Sequence, residues 1–144
     1  MSPTLRREAL LLRLAVGLAG CVPVAAGAGG ALYGLPVEAP MDNHYRYLCG
    51  LLLGIGLAFW ASIPTIEQHG ARFRLLTFIV VTGGLTRLLG MVLGDWPGWP
   101  MAATLIMELG VTPLLCLWQA RIARAKPWKA ECLSENILNP LGLL

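Results

Sequence analysis

Two charged side chains stand in the interior of stretches that are otherwise apolar: Arg87, in the run over 75–94, and Glu108, in the run over 101–119. Neither is stable in hydrocarbon without a partner, since insertion scales put such a group at a helix centre at ~2.5–3.5 kcal/mol. Arg87 lies seven residues before Gly94 and Glu108 seven after Met101. At about 1.5 Å of rise per residue, both fall roughly 10 Å below one boundary. Opposite charges at one depth on antiparallel neighbours can pair, and a bidentate Arg–Glu contact is the simplest resolution. Arg46, at the head of another apolar run over 45–63, is expected to reach the same carboxylate from above. Asn43, His44 and Thr86 are candidate neighbours, with Thr82 deeper. Two arginines and one glutamate make a net positive pocket, suited to an anionic or polar headgroup or to a quinone carbonyl. Three readings stay open. The pair fixes helix register and does nothing more, it holds a ligand, or it lies on a proton or ion path.

Other chemical templates are missing. The sequence has no GxSxG, no HExxH and no glycine-rich phosphate loop, so no catalytic residue is named. Cys21, Cys49, Cys116 and Cys132 form no CxxC pair and no Cys/His cluster. They read as small thiols that pack like apolar groups, with no metal or disulfide expected. His44 and His69 lie outside the apolar runs, so intramembrane haem ligation is not expected and no cofactor is assigned. No basic cluster is interleaved with aromatics, which leaves no case for nucleic acid.

The elements that would position Arg87 and Glu108 follow from composition. The 144 residues are 56% hydrophobic and 13% charged, with mean hydropathy +0.66. Soluble domains carry roughly 25% charged residues, so this chain lacks the groups needed to cover a water-facing surface. Four apolar runs, over 10–32, 45–63, 75–94 and 101–119, approach the ~20 residues that a helix needs to cross the bilayer. They lack the alternation of barrel strands, so helices are the reading. The expected fold is an all-α, four-helix transmembrane bundle over 1–129. A short amphipathic helix or a disordered tail over 130–144 would follow it.

Charge sets the expected orientation. Arg6, Arg7 and Arg13 precede or open the first run, Arg72 and Arg74 lie between the second and third, and Arg121, Arg124, Lys126 and Lys129 follow the fourth. Four crossings place all of them on one side, which predicts a multi-pass protein with both termini on the cytoplasmic face of its membrane. Tyr33, Tyr45, Tyr47, Trp96 and Trp99 mark the outer boundary, and Trp60, Trp118 and Trp128 the inner one. Asn43 is the expected N-cap of the second helix, and residues 95–100 form a tight proline-bearing turn. Leu18-Ala19-Gly20-Cys21 has the pattern of a lipoprotein signal, but the segment is expected to be retained as the first span. Pro113 predicts a kink below Glu108, freeing a carbonyl near Leu109.

Small residues predict the helix contacts. Gly17, Cys21, Ala25 and Gly29 form one ridge at four-residue spacing, and Gly50, Gly54, Ala58 and Ser62 another. Such ridges let backbones approach closely, between the first two helices or across a dimer.

Asn43-x-x-Arg46 with Gly50 and Gly56, then Gly83-Gly84-x-x-Arg87-x-x-Gly90, then Glu108 and Pro113, resembles the bacterial membrane proteins grouped as domain of unknown function 4345. The resemblance spans roughly 40–125, the first helix fitting only by hydropathy. It implies a four-helix membrane protein with Arg46, Arg87 and Glu108 as its polar set, and it brings no activity, substrate or cofactor. The leading expectation is a non-enzymatic membrane protein that binds a lipid, a quinone or a larger membrane-protein partner, as an accessory subunit for instance. A proton-coupled small-molecule transporter is the second expectation, and a membrane enzyme acting on a lipid or quinone the third.

Overall fold

The computed structural model describes residues 3–66, 68, 70–94 and 98–125. The expected tail over 130–144, and Trp96, Trp128 and His69, lie outside the described residues. Among those described there are four membrane-length helices: α1, Pro3–Tyr33; α2, Ala39–Ser62; α3, Gly70–Leu93; and α4, Trp99–Ala125. No strand occurs among the described residues. All four are long and apolar enough to cross a membrane.

Each helix differs from its apolar run at one or both ends, most of them running past it. Hydropathy marks only the stretch that can sit in hydrocarbon, whereas helix formation continues through flanking residues such as Arg6, Arg7 and Arg124 that are good helix formers. The start of α2 corrects the expected cap. The helix begins at Ala39 with Glu38 before it and Pro40 in the first turn, and no side chain caps it. Proline's fixed φ suits that turn, so the helix starts early and Asn43 lies inside it, exposed. Pro100 has the same role at the head of α4, after Gly98 at φ +89°.

The α1–α2 contact forms, but on different residues from those predicted. A Cβ added at Gly27 would lie 2.6 Å from the Leu53 nitrogen and 2.8 Å from the Cys49 oxygen. Gly30 faces the Cys49 thiol and the Tyr45 hydroxyl, Gly20 the Trp60 ring, and Gly56 the side chain of Val24. Gly29, Gly50 and Gly54 have no such neighbour within 4 Å, and Cys21 and Ala25 are exposed. Of the predicted set, Gly17 meets Ile63, Ala58 packs against the core and Ser62 is fully buried. The physical reason is that Trp60 turns inward and donates from Nε1 to the Gly17 oxygen at 3.1 Å. That ring needs Gly20 beneath it, which fixes the register one ridge away from Cys21. Trp60 is thus a packing residue rather than a boundary marker.

The core sits at one end of the bundle. Ala9, Leu12 and Val16 of α1 meet Phe59, Ile66, Phe73, Leu76 and Ile122 there, with Leu12 and Ile66 fully buried. The Phe59 and Phe73 rings pack edge to face with centroids 5.1 Å apart. Gln119, also buried, donates to the Ile66 oxygen at 2.8 Å, supplying a partner for a loop carbonyl that the bilayer would leave unsatisfied. Because Glu8 of α1 and Arg121 of α4 approach to 3.8 Å at this end, the described chain termini lie together.

Candidate functional site

Toward the opposite end, each helical hairpin is closed by its own arginine. In the α1–α2 hairpin it is Arg46. Its Nε donates to Asp42 Oδ2 at 2.8 Å, one terminal nitrogen to the Ala31 and Leu32 oxygens at 2.7 and 3.0 Å, and the other to the Tyr33 oxygen at 3.4 Å. The last carbonyls of a helix have no partner within it and carry the negative end of its dipole, so a guanidinium there satisfies both needs. Asp42 Oδ1 accepts from the Leu35 N–H at 2.7 Å, which fixes the connection. Gly34 ends α1 at φ +67°, its N–H donating to the Gly30 oxygen at 3.0 Å. A side chain there would collide with Asp42 and Arg46.

This arrangement corrects the expectation that Arg46 reaches Glu108. Each of its nitrogens is engaged by Asp42 or by α1. The pocket of two arginines and one glutamate becomes two separate ion pairs, each neutral overall.

The second arginine meets its expected partner. Arg87 Nε donates to Glu108 Oε2 at 3.0 Å, and one terminal nitrogen to Oε1 at 3.2 Å, a bidentate pair. The pair is partly buried, with 34% of the Arg87 side chain and 18% of Glu108 exposed. The remaining terminal nitrogen of Arg87 lies against the Met101 sulfur. Glycine brings the helices close enough for this: a Cβ at Gly84 would lie 3.0 Å from that of Glu108 and 2.8 Å from Leu109 Cδ2.

Glu108 stands in a wide turn. Residues Met107–Val111 are π-helical, and the N–H and hydroxyl of Thr112 both donate to the Met107 oxygen, the hydroxyl at 2.9 Å. Pro113 follows directly. The expected proline kink therefore takes the form of a π-turn just before it, a feature frequent at functional sites.

The other predicted neighbours lie elsewhere. Asn43 and His44 are exposed on α2. Thr86 is exposed and donates to the Thr82 oxygen at 3.0 Å along its own helix. Met101 and Gly84 also belong to the site, beyond their expected places as a depth marker and a motif glycine. Each had a sequence signal: Met101 lies two turns before Glu108, and Gly84 one turn before Arg87, each on its partner's face. Among the described residues no group of three His, Cys, Asp or Glu side chains is placed to hold a metal.

The family described as domain of unknown function (DUF4345) matches residues 11–119, which include most of α1. The chain belongs to that family. No curated protein and no solved structure matches it.

Proposed function

We propose that this member of the family is a non-enzymatic membrane protein that binds the carbonyl head of a neutral amphiphile, a quinone or a lipid, at Arg87. The supporting observation is how the Arg87 guanidinium is partnered. Glu108 holds two of its nitrogens and neutralises its charge, while the third faces the thioether of Met101, a weak acceptor. A guanidinium has five N–H donors, and three have partners among the described residues. The side chain is 34% exposed, which leaves the remaining two for an oxygen atom from outside the chain. A second anion would be repelled by Glu108, so a neutral carbonyl fits better than a phosphate.

In this reading both termini lie on the cytoplasmic side of a bacterial inner membrane, in keeping with the arginines at the termini end. A proton-coupled transporter has less support, because both Glu108 oxygens accept from Arg87, which holds that carboxylate in a pair.

Titration of the full chain in lipid nanodiscs with a short-tailed ubiquinone analogue tests the proposal, read by quenching of tryptophan fluorescence. The expected result is saturable quenching that weakens at least about tenfold in Arg87→Gln. A linear, unsaturable response, equal in both proteins, would mean that the quinone only partitions into lipid. Mass spectrometry of the protein released from native membranes then decides whether a carbonyl-bearing lipid is retained instead. Neither ligand bound would end the proposal.

A further inference from the structure

We infer that the termini end of the bundle binds anionic phospholipid headgroups through a collar of six exposed arginines, Arg6, Arg7, Arg72, Arg74, Arg121 and Arg124. This site is separate from Arg87 and does not depend on its function. All six are exposed, yet they are anchored by the most buried part of the molecule. Arg72 and Arg74 flank Phe73, which is 1% exposed; Arg121 precedes Ile122, at 2%; Arg6 lies one turn before Ala9, at 3%. The core that joins the helices therefore holds the backbone on or near which these six positive residues stand at one end of the bundle.

Few of the described carboxylates oppose them. Of the six, Arg121 lies against a described carboxylate, Glu8 at 3.8 Å, and remains 76% exposed there. Such a pair contributes little and leaves the field positive. Immediately along the helices lie exposed apolar side chains: Leu10 and Leu11 beyond Arg7, Leu75 and Phe78 beyond Arg74, and Leu117 one turn before Arg121. Charge at one level and apolar surface one turn deeper match an amphiphile with an anionic head and acyl chains. An acidic soluble protein would use the charge but not the apolar flank. Guanidinium is also the better cation for phosphate, because its fork donates two parallel hydrogen bonds.

The test uses the full chain in a neutral detergent, titrated with phosphatidylglycerol or phosphatidylcholine. Bound lipid is counted by native mass spectrometry, and the thermal midpoint is followed alongside. Phosphatidylglycerol is expected to bind at least about tenfold more tightly, with the preference shrinking as salt rises. The double variants R72Q/R74Q and R121Q/R124Q should each weaken that binding about tenfold or more while keeping wild-type helicity in detergent alone. The charge-retaining R72K/R74K should recover most of it. Equal affinity for the two lipids overturns the inference, as does an unchanged preference in both double variants. Displacement of phosphatidylglycerol by polyglutamate at matched charge would also overturn it, by identifying a site for a soluble acidic partner. Should a double variant fail to fold, the salt dependence of the wild type and the lysine variant decide the matter.

Discussion

Breaking the Arg87–Glu108 pair from either side should have unequal effects. A fully buried pair loses about 3–5 kcal/mol when one member is removed, and a surface pair about 0–1. This pair lies between those limits, with Glu108 18% exposed and Arg87 34%. Arg87→Gln leaves the better buried carboxylate without its cation, at about 2–3 kcal/mol. Glu108→Gln leaves a guanidinium on a long, flexible stem that can turn toward the boundary, at about 1–2 kcal/mol. The double variant removes both charges and should lose less than the sum, giving a coupling of about 2 kcal/mol. That coupling corresponds to roughly a thirtyfold change in the unfolding equilibrium. Unfolding of all four proteins from mixed micelles by added dodecyl sulfate, followed by circular dichroism, measures each quantity. A coupling below about 0.5 kcal/mol would show that the two side chains do not act together. A larger loss from Glu108→Gln than from Arg87→Gln would refute the burial argument even if coupling were found.

Three other substitutions test the frame around the pair. Gly27→Ala forces a Cβ to 2.6 Å from the Leu53 nitrogen and should destabilise by about 1–3 kcal/mol, whereas Gly29→Ala, in open space, should be nearly silent in the same micelle assay. Gly34→Ala places a side chain at φ +67° against Asp42 and Arg46; about 1–3 kcal/mol of lost stability is expected, and the unfolding midpoint reports it. Gln119→Leu removes the donor to the Ile66 oxygen and should lower stability by about 1–3 kcal/mol, with faster amide exchange in the α2–α3 connection.

The membrane fold was legible because its signal is a shortage of charge spread over the whole chain. The depth match of Arg87 and Glu108 was legible for a related reason: helical rise is uniform, so distance from a turn gives depth. Register was not. Gly17, Cys21, Ala25 and Gly29 and the true contacts Gly20, Gly27 and Gly30 lie on neighbouring stripes of one helix, and small residues occupy both. The choice between them was made by Trp60 and Cys49, whose inward direction no spacing rule gives. Arg46 was misassigned although its partner stood four residues earlier, since Asp42 and Arg46 form an ordinary helical i,i+4 pair. Depth alone suggested Glu108; the five-residue connection between α1 and α2 instead brings the carbonyl end of α1 to the guanidinium. The π-turn left only indirect traces, Pro113 without an N–H and Thr112 with a hydroxyl that can substitute.

The contrast between the two arginines carries the functional argument. Each lies at the end of the bundle away from the termini, each closes one hairpin, and each has a single carboxylate for its charge. Arg46 adds three backbone oxygens of α1, so its acceptors are all supplied by the chain. The carbonyl end of α3 lies six residues beyond Arg87, at Leu93. Among the described residues, the recorded partner of its third nitrogen is the Met101 sulfur. If closing a hairpin were the whole task, the Arg46 arrangement would serve for both. Placing the second arginine inside the span, against a glutamate that stands on a π-turn and packs on Gly84, leaves the remaining donors that the proposed ligand would use.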